Sequence, residues 1–357
     1  MTSRLRRTKR RPFAVAFLAA FAPAGAALAA TPEPGPLAIS VIEQWLLPRN
    51  DALAEAAAVQ KEAWRAACAD GDYAGDLAEL KQRYQAGADA WAAVEHVTTG
   101  PVSLSLRPDR IFFFPDKRNA VAKALAELEA KAKAGEVPDD TFRASSVAGQ
   151  GFPALERLLY EAPDGEPAAR CRVGVAIAGN LATLTGQIRD EWRSDAGPLA
   201  KLKAGQGDPV HFADPGQAAA RLLTDLAGGI QRDVDMKLLP VLGANLDAAR
   251  PKAAEGWRSN RSARALKASV ASLAAMAAIF AKAAPAEIAA GDGRAFAAAQ
   301  AAVAKLPDDV GEAAADPKRR KVVEQAVAAL KVAQANVVKD VAPAIGVPLG
   351  FNALDGD

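Results

Sequence analysis

The chain has 357 residues, half of them hydrophobic, only 6% aromatic, and a formal net charge of +2 from 44 basic and 42 acidic side chains. Much of the positive excess is the cluster Arg4, Arg6, Arg7, Lys9, Arg10 and Arg11, without which the chain is slightly acidic. That balance argues against a nucleic-acid partner.

The basic start runs into "FAVAFLAAFAPAGAALAA", an apolar stretch ending in small residues, with Ala27 and Ala29 placed for an A-x-A cleavage site. This is the layout of an export signal. Residues 1–29 are therefore expected to be removed on export to the periplasm. Pro23 and Gly25 interrupt the run and speak against an uncleaved anchor, and no cysteine stands there to carry a lipid. The "RRPF" at Arg10–Phe13 leaves the twin-arginine and general export routes both open.

In the remainder, alanine, leucine, lysine and glutamate dominate, and apolar residues recur at three and four positions. Leu77, Leu80, Tyr84, Ala88, Trp91 and Val94 share one helical face, as do Val323, Val327, Leu330 and Val337. Helices are expected near 38–47, 50–69, 73–98, 118–134, 153–162 and 167–194, then 214–242, 249–283, 292–305 and 318–341. Pro48 is expected to part the first two. Strand-like alternation is confined to "VSLSL" at Val102–Leu106, so the class is all-α. The Gly-, Pro- and charge-rich stretch near 195–213 is the best boundary, giving two four-helix-bundle-like domains, 30–200 and 201–357. No second membrane span is expected: "ASVASLAAMAAIFA", between Lys267 and Lys282, has the length of a buried core helix.

Cys68 and Cys171 are the two cysteines. In an oxidising compartment they most simply form one disulfide, the alternative being two buried thiols. Closing a loop of about a hundred residues stabilises by roughly 4–5 kcal/mol in the entropic treatment.

The loop from Thr98 to Asn119 carries Arg107, Arg110, Phe112, Phe113, Phe114, Asp116 and Arg118. Three consecutive phenylalanines require it to fold back on the helices, and loops of this length are often functional. His96 ends the helix before it, where the helix dipole favours a cationic imidazole. His211, in the linker, is expected to be solvated or capping. Two such distant histidines cannot build a His-x-x-x-His zinc site, and HExxH, G-x-S-x-G, phosphate-loop and dinucleotide signatures are absent. "GQGFPALERLLY" at Gly149–Tyr160 begins a helix at Pro153, with Leu155, Leu158 and Leu159 as its apolar stripe and Glu156 off that stripe. Glu156 reads either as a solvated carboxylate or as one facing a cleft with His96 and the arginine loop. "WRSNRS" places Arg258 and Arg261 beside Ser259, either as an exposed helix start or as a second group of site residues. The closing "NALDGD" lacks the spacing of a calcium loop and is expected to pack as a tail through Leu349 and Phe351.

"SSVAGQGFPALERLLYE", "CRVGVAIAGNLATLTGQIRDEW", "RIFFFPDKR", "GWRSNRSARALKASVASLAAM" and "PLGFNALDGD" together resemble the imelysin-like proteins, once classed as M75 peptidases. The resemblance runs from about residue 38 to the C-terminus. It implies two helical bundles with a groove between them, periplasmic or outer-surface placement, and association with iron uptake or iron-regulated expression. The family's Gly-x-His-x-x-Glu motif maps onto Gly151, Pro153 and Glu156, so a proline without a lone pair replaces the histidine. A hydrolytic zinc site needs three protein ligands and an open position, which speaks against proteolysis. The resemblance thus implies a non-enzymatic binding protein of iron physiology, whose ligand is iron or a ferric chelate. The alternatives are a metal-dependent hydrolase using Glu156 and His96, or an adaptor docking a protein partner such as a periplasmic or membrane iron-uptake component. The groove candidates are Gln150, Gly151, Pro153, Glu156, His96, Arg107, Arg110, Asp116 and Arg118, joined by Arg258, Ser259 and Arg261. Arginines in a concave site suit an anionic small ligand.

Overall fold

The computed structural model describes residues 33–350 other than 70–72, 137–141, 143 and 163–165, together with Thr2. Apart from Thr2, the expected export segment lies outside the described residues, as do its expected cleavage site and Phe351. Among those described there is no strand, and the chain is all-α. Val102–Leu106, which alternates like a strand, belongs instead to a 3-10 turn, Gly100–Leu106, that kinks where Ser105 and Leu106 adopt left-handed backbone.

The helices are α1 (Pro34–Val41), α2 (Leu47–Ala69), α3 (Tyr73–Ala92), α4 (Arg107–Ile111), α5 (Ala120–Lys133), α6 (Phe152–Tyr160) and α7 (Pro167–Arg193). They continue as α8 (Pro198–Lys203), α9 (Pro215–Arg232), α10 (Leu239–Leu242), α11 (Ser262–Ala281), α12 (Ala286–Ala304), α13 (Val310–Ala315), α14 (Arg320–Asn336) and α15 (Ala342–Ala344). Pro34, Pro108, Pro153, Pro167, Pro198 and Pro215 each fall in the first two residues of a helix, where a missing N–H leaves no bond unmade.

Pro48 does not separate two helices. A π turn, Ile42–Leu46, joins α1 to α2 and absorbs the lost donor by widening the turn ahead of the proline. The side chain of Arg49 donates to the carbonyl of Trp45 at 2.9 Å, meeting an acceptor there. The same device recurs at Asp233–Leu238 before Pro240 and at Val337–Val341 before Pro343, each π turn ending two residues short of its proline.

Packing follows the three-and-four periodicity. Leu53, Ala57, Gln60, Trp64 and Ala67 of α2 lie against the buried face of α7, the most extensive helix pair in the molecule. A Cβ at Gly174 would stand 2.0 Å from the Trp64 ring, so the absence of a side chain there admits the indole. Cys68 and Cys171 form a disulfide across this pair. α3, α5 and α6 complete the first set of helices; α9, α11, α12 and α14 pack among themselves as the second. The apolar core nonetheless runs without interruption through residues of both sets, and residues 31–357 form one compact unit. α1 packs on α9 while α2, its continuation, packs on α7, and α3 touches α11. The long α1–α2 rod therefore carries the N-terminal residues onto the second set.

α11 is 20 residues long and apolar enough to cross a bilayer, longer than the 14-residue run in its sequence. Its Leu266, Val270, Leu273, Met276 and Phe280 are all buried in the core. The helix expected over 249–283 starts only at Ser262, because Gly256 and Asn260 take left-handed backbone and turn the chain beforehand.

Candidate functional site

The motif segment is fixed from below. A Cβ at Gly151 would meet the Ile111 carbonyl oxygen at 2.2 Å, so only glycine lets α6 begin against α4. Arg110 donates to Gln150 Oε1 (2.7 Å) and Asn180 Oδ1 (3.1 Å), while Asn180 donates to the Gln150 carbonyl (3.0 Å). Gln150 and Arg110 thereby tie the motif loop to α7. Pro153 is the second residue of α6 and offers nothing to a metal.

Glu156 is neither solvated nor free. It is 5% exposed and its Oε1 accepts the backbone N–H of Ser259 at 3.0 Å and the Ser259 hydroxyl at 2.6 Å. Burial raises its pKa, an effect opposed by these hydrogen bonds and by Arg258 and Arg261. The carboxylate is thus the link between α6 and the 256–261 turn. Next to it Glu161 accepts from both Arg157 and Arg258.

The 256–261 turn is not an exposed helix start. Arg261 is 1% exposed and donates to Gln85 Oε1 (3.3 Å) and Asp89 Oδ1 (3.0 Å) of α3, with Glu255 at 3.6 Å. Arg264, half exposed, also donates to Asp89 at 2.7–2.8 Å. Around this seam opens a cleft of about 430 Å³ lined by Gln85, Ser259, Asn260, Arg261, Arg264, Lys267 and Asp308. Ser259 and Arg261 are the expected site residues that line it, with Glu156 held by Ser259; Gln150, Arg107, Arg110, Asp116, Arg118 and His96 are not in its walls.

Those other residues have structural partners. Arg107 forms a two-pronged pair with Glu191 (2.6 and 2.7 Å) and donates to the Pro101 carbonyl. Asp116 accepts the N–H groups of Ala120 and Val121, capping α5. Arg118 is exposed. Phe112 is buried, and Phe113 and Phe114 pack on the core, so the loop does fold back. His211, expected to be solvated or capping, is not solvated: it is 7% exposed within the 208–212 turn.

His96 is buried against Trp45, with ring centroids 5.3 Å apart, and neither ring nitrogen has a hydrogen-bond partner. Burial, together with Lys237, Arg49 and Arg232, lowers its pKa from 6.5 to about 3. It is neutral, because desolvation outweighs the helix-end field that would favour a cation.

Beside it lies a cluster that sequence reasoning missed. Lys237, 3% exposed, contacts Glu95, Asp233 at 3.1 Å and Glu255 at 3.1 Å, and Asp233 accepts from Ser269 at 2.7 Å. Against burial, Asp233, Glu255 and Glu95 raise the Lys237 pKa, so it stays an ammonium ion. The available signal was Asp233 and Lys237 standing at helical spacing inside the apolar stripe Ile230, Val234, Leu238 and Val241.

A family metal at the motif does not fit these residues. Pro153 has no lone pair, Glu156 is occupied by Ser259, and His96 sits in a different part of the core. Among the described residues no group of three or more His, Cys, Asp or Glu is disposed to hold a metal ion.

No curated protein matches the chain at a significant level. Solved structures share its fold, two of them as follows. One is an imelysin-like protein from Psychrobacter arcticum 273-4, 20% identical, with a TM-score of 0.75 and coverage of 89% of this chain and 97% of that one. The other, from Parabacteroides distasonis ATCC 8503, is named as an iron-regulated protein A precursor; it is 16% identical, with a TM-score of 0.70 and coverage of 87% and 95%. The sequence model described as Imelysin, peptidase M75, matches residues 46–337. That match spans most of the chain, and the chain belongs to the imelysin family.

Proposed function

We propose that this chain is an exported, non-enzymatic binding protein of iron physiology that takes a small iron-bearing ligand into the cleft between α3 and α11. One observation carries the reading. Where the family motif has histidine, α6 starts with Pro153, Glu156 is committed to Ser259, and beside them lies a cleft of about 430 Å³ with three basic side chains in its walls. Such a volume suits a small molecule. Family membership and the Parabacteroides neighbour's name support the link to iron, and the Cys68–Cys171 disulfide and the leader-like N-terminus support a periplasmic location. A membrane-associated iron-uptake component is the partner to which such a protein delivers its cargo.

The test is a titration of chelator-treated mature protein with ferric citrate and with a ferric trihydroxamate, alongside a casein-hydrolysis assay with added zinc. Saturable one-to-one binding of a ferric chelate and no hydrolysis are expected. Failure to bind either chelate, or chelator-sensitive hydrolysis abolished by Glu156→Ala, overturns the reading.

A further inference from the structure

We propose that the cleft selects a small hydroxylated polycarboxylate anion, with Lys267 and Arg264 as its carboxylate receptors; this rests on the cleft being the ligand site. Lys267 and Arg264 are three residues apart on α11 and therefore on one face, and both line the cavity. Lys267 has no ion-pair or hydrogen-bond partner among the described residues, although it stands in a wall with two arginines.

Arg264 is paired, but in a way that leaves it exchangeable. Its partner Asp89 is shared with Arg261, which is buried and approaches at 3.0 Å. A ligand carboxylate can replace Asp89 on the half-exposed Arg264 while Asp89 keeps Arg261, so no buried charge is stranded. Planar guanidinium geometry suits a carboxylate in the vacated position.

The remaining walls decide against a bare anion. Gln85 is engaged by Tyr160 and Arg261, and the Ser259 hydroxyl donates to Glu156. Asp308 and Asn260 are left to meet the ligand, and Asp308 is the one carboxylate in the lining. An acceptor-only group in the same lining as these cations favours an anion that also carries a hydroxyl, which donates to Asp308. A carboxylate-bearing molecule with a hydroxyl satisfies all four.

Calorimetric titration of the intact mature protein with sodium citrate tests this, with tricarballylate (the same skeleton without hydroxyl) and inorganic phosphate as comparators. The variants are Lys267→Gln, Arg264→Gln and Asp308→Ala, with Lys331→Gln of α14 as control and urea midpoints confirming that each folds. Expected are one-to-one citrate binding that weakens with salt, an affinity loss of about tenfold or more in Lys267→Gln and Arg264→Gln, and weaker tricarballylate binding that Asp308→Ala no longer distinguishes from citrate. Absent citrate binding, unchanged affinity in Lys267→Gln, or phosphate binding as tightly as citrate overturns the proposal. A ferric trihydroxamate bound where citrate is ignored removes this inference and leaves the iron-ligand reading. Iron-free citrate bound while neither ferric citrate nor the ferric trihydroxamate binds leaves this inference and removes that reading.

Discussion

His96 carries both ring nitrogens into the core with no hydrogen-bond partner, and its pKa falls from 6.5 to about 3. The native state therefore binds fewer protons than the unfolded chain, and stability present above pH 6.5 is lost as pH falls toward 3. Going from pH 7 to pH 5, this single group costs about 2 kcal/mol. His96→Leu is expected to remove that loss, read as a shallower fall in the urea midpoint between the two pH values. An unchanged slope contradicts the assignment. Asp225 works in the opposite sense. Burial raises its pKa from 3.8 to about 6, against the hydrogen bonds it accepts from Thr98 and Thr99. Its contribution is fully present below pH 3.8 and is lost as pH rises through 6, so Asp225→Asn should be least harmful near neutrality and most harmful in acid. Glu156 is the residue whose role changes most between sequence and structure. Glu156→Ala leaves the Ser259 N–H and hydroxyl without their acceptor and should lower stability by about 1–3 kcal/mol in denaturant unfolding. A purely ligand-binding role for this carboxylate predicts no such loss.

At the scale of elements, the periodicity of the chain translates directly into helices, because alanine- and leucine-rich stripes at three and four positions have one way to be buried. Tyr84, Trp91, Val323 and Leu330 are buried where their faces require. What the pattern cannot show is how a proline is accommodated: the π turns before Pro48, Pro240 and Pro343 keep helices going that a local rule ends. The start of α11 was equally hidden, since left-handed backbone at Asn260 is decided by the packing of Arg261 under α3. The α2–α7 pair is stapled by Cys68 and Cys171, 103 positions apart. Replacing both by serine should cost about 2–5 kcal/mol, seen as a lower urea midpoint that reducing agent does not lower further.

For the whole molecule, the disulfide and the helical class could be read from the chain, while the candidate site could be read only in part. The motif segment led to Glu156 and the separate "WRSNRS" run to Ser259, which the structure joins. Arg107, Arg110 and Asp116 looked like ligand-binding charges because an isolated loop gives no hint of Glu191, Gln150 or the α5 N-terminus as partners. The sequence pattern places Lys237 in an apolar stripe but does not point to Glu95 and Glu255 as its partners, since their encounter depends on contacts between distant helices. The cleft itself draws on α3, α11 and the Asp308 loop, three segments with no common sequence signature.

The central claim is that the cleft, and not a motif metal, holds the cargo. The most direct measurement is the metal content of untagged protein recovered from the periplasm of iron-replete cells, for the wild type and for Lys267→Glu. Iron near one equivalent in the wild type and none in the variant is the predicted result. Equal iron in both, iron in neither, or stoichiometric zinc accompanied by peptide hydrolysis would contradict it.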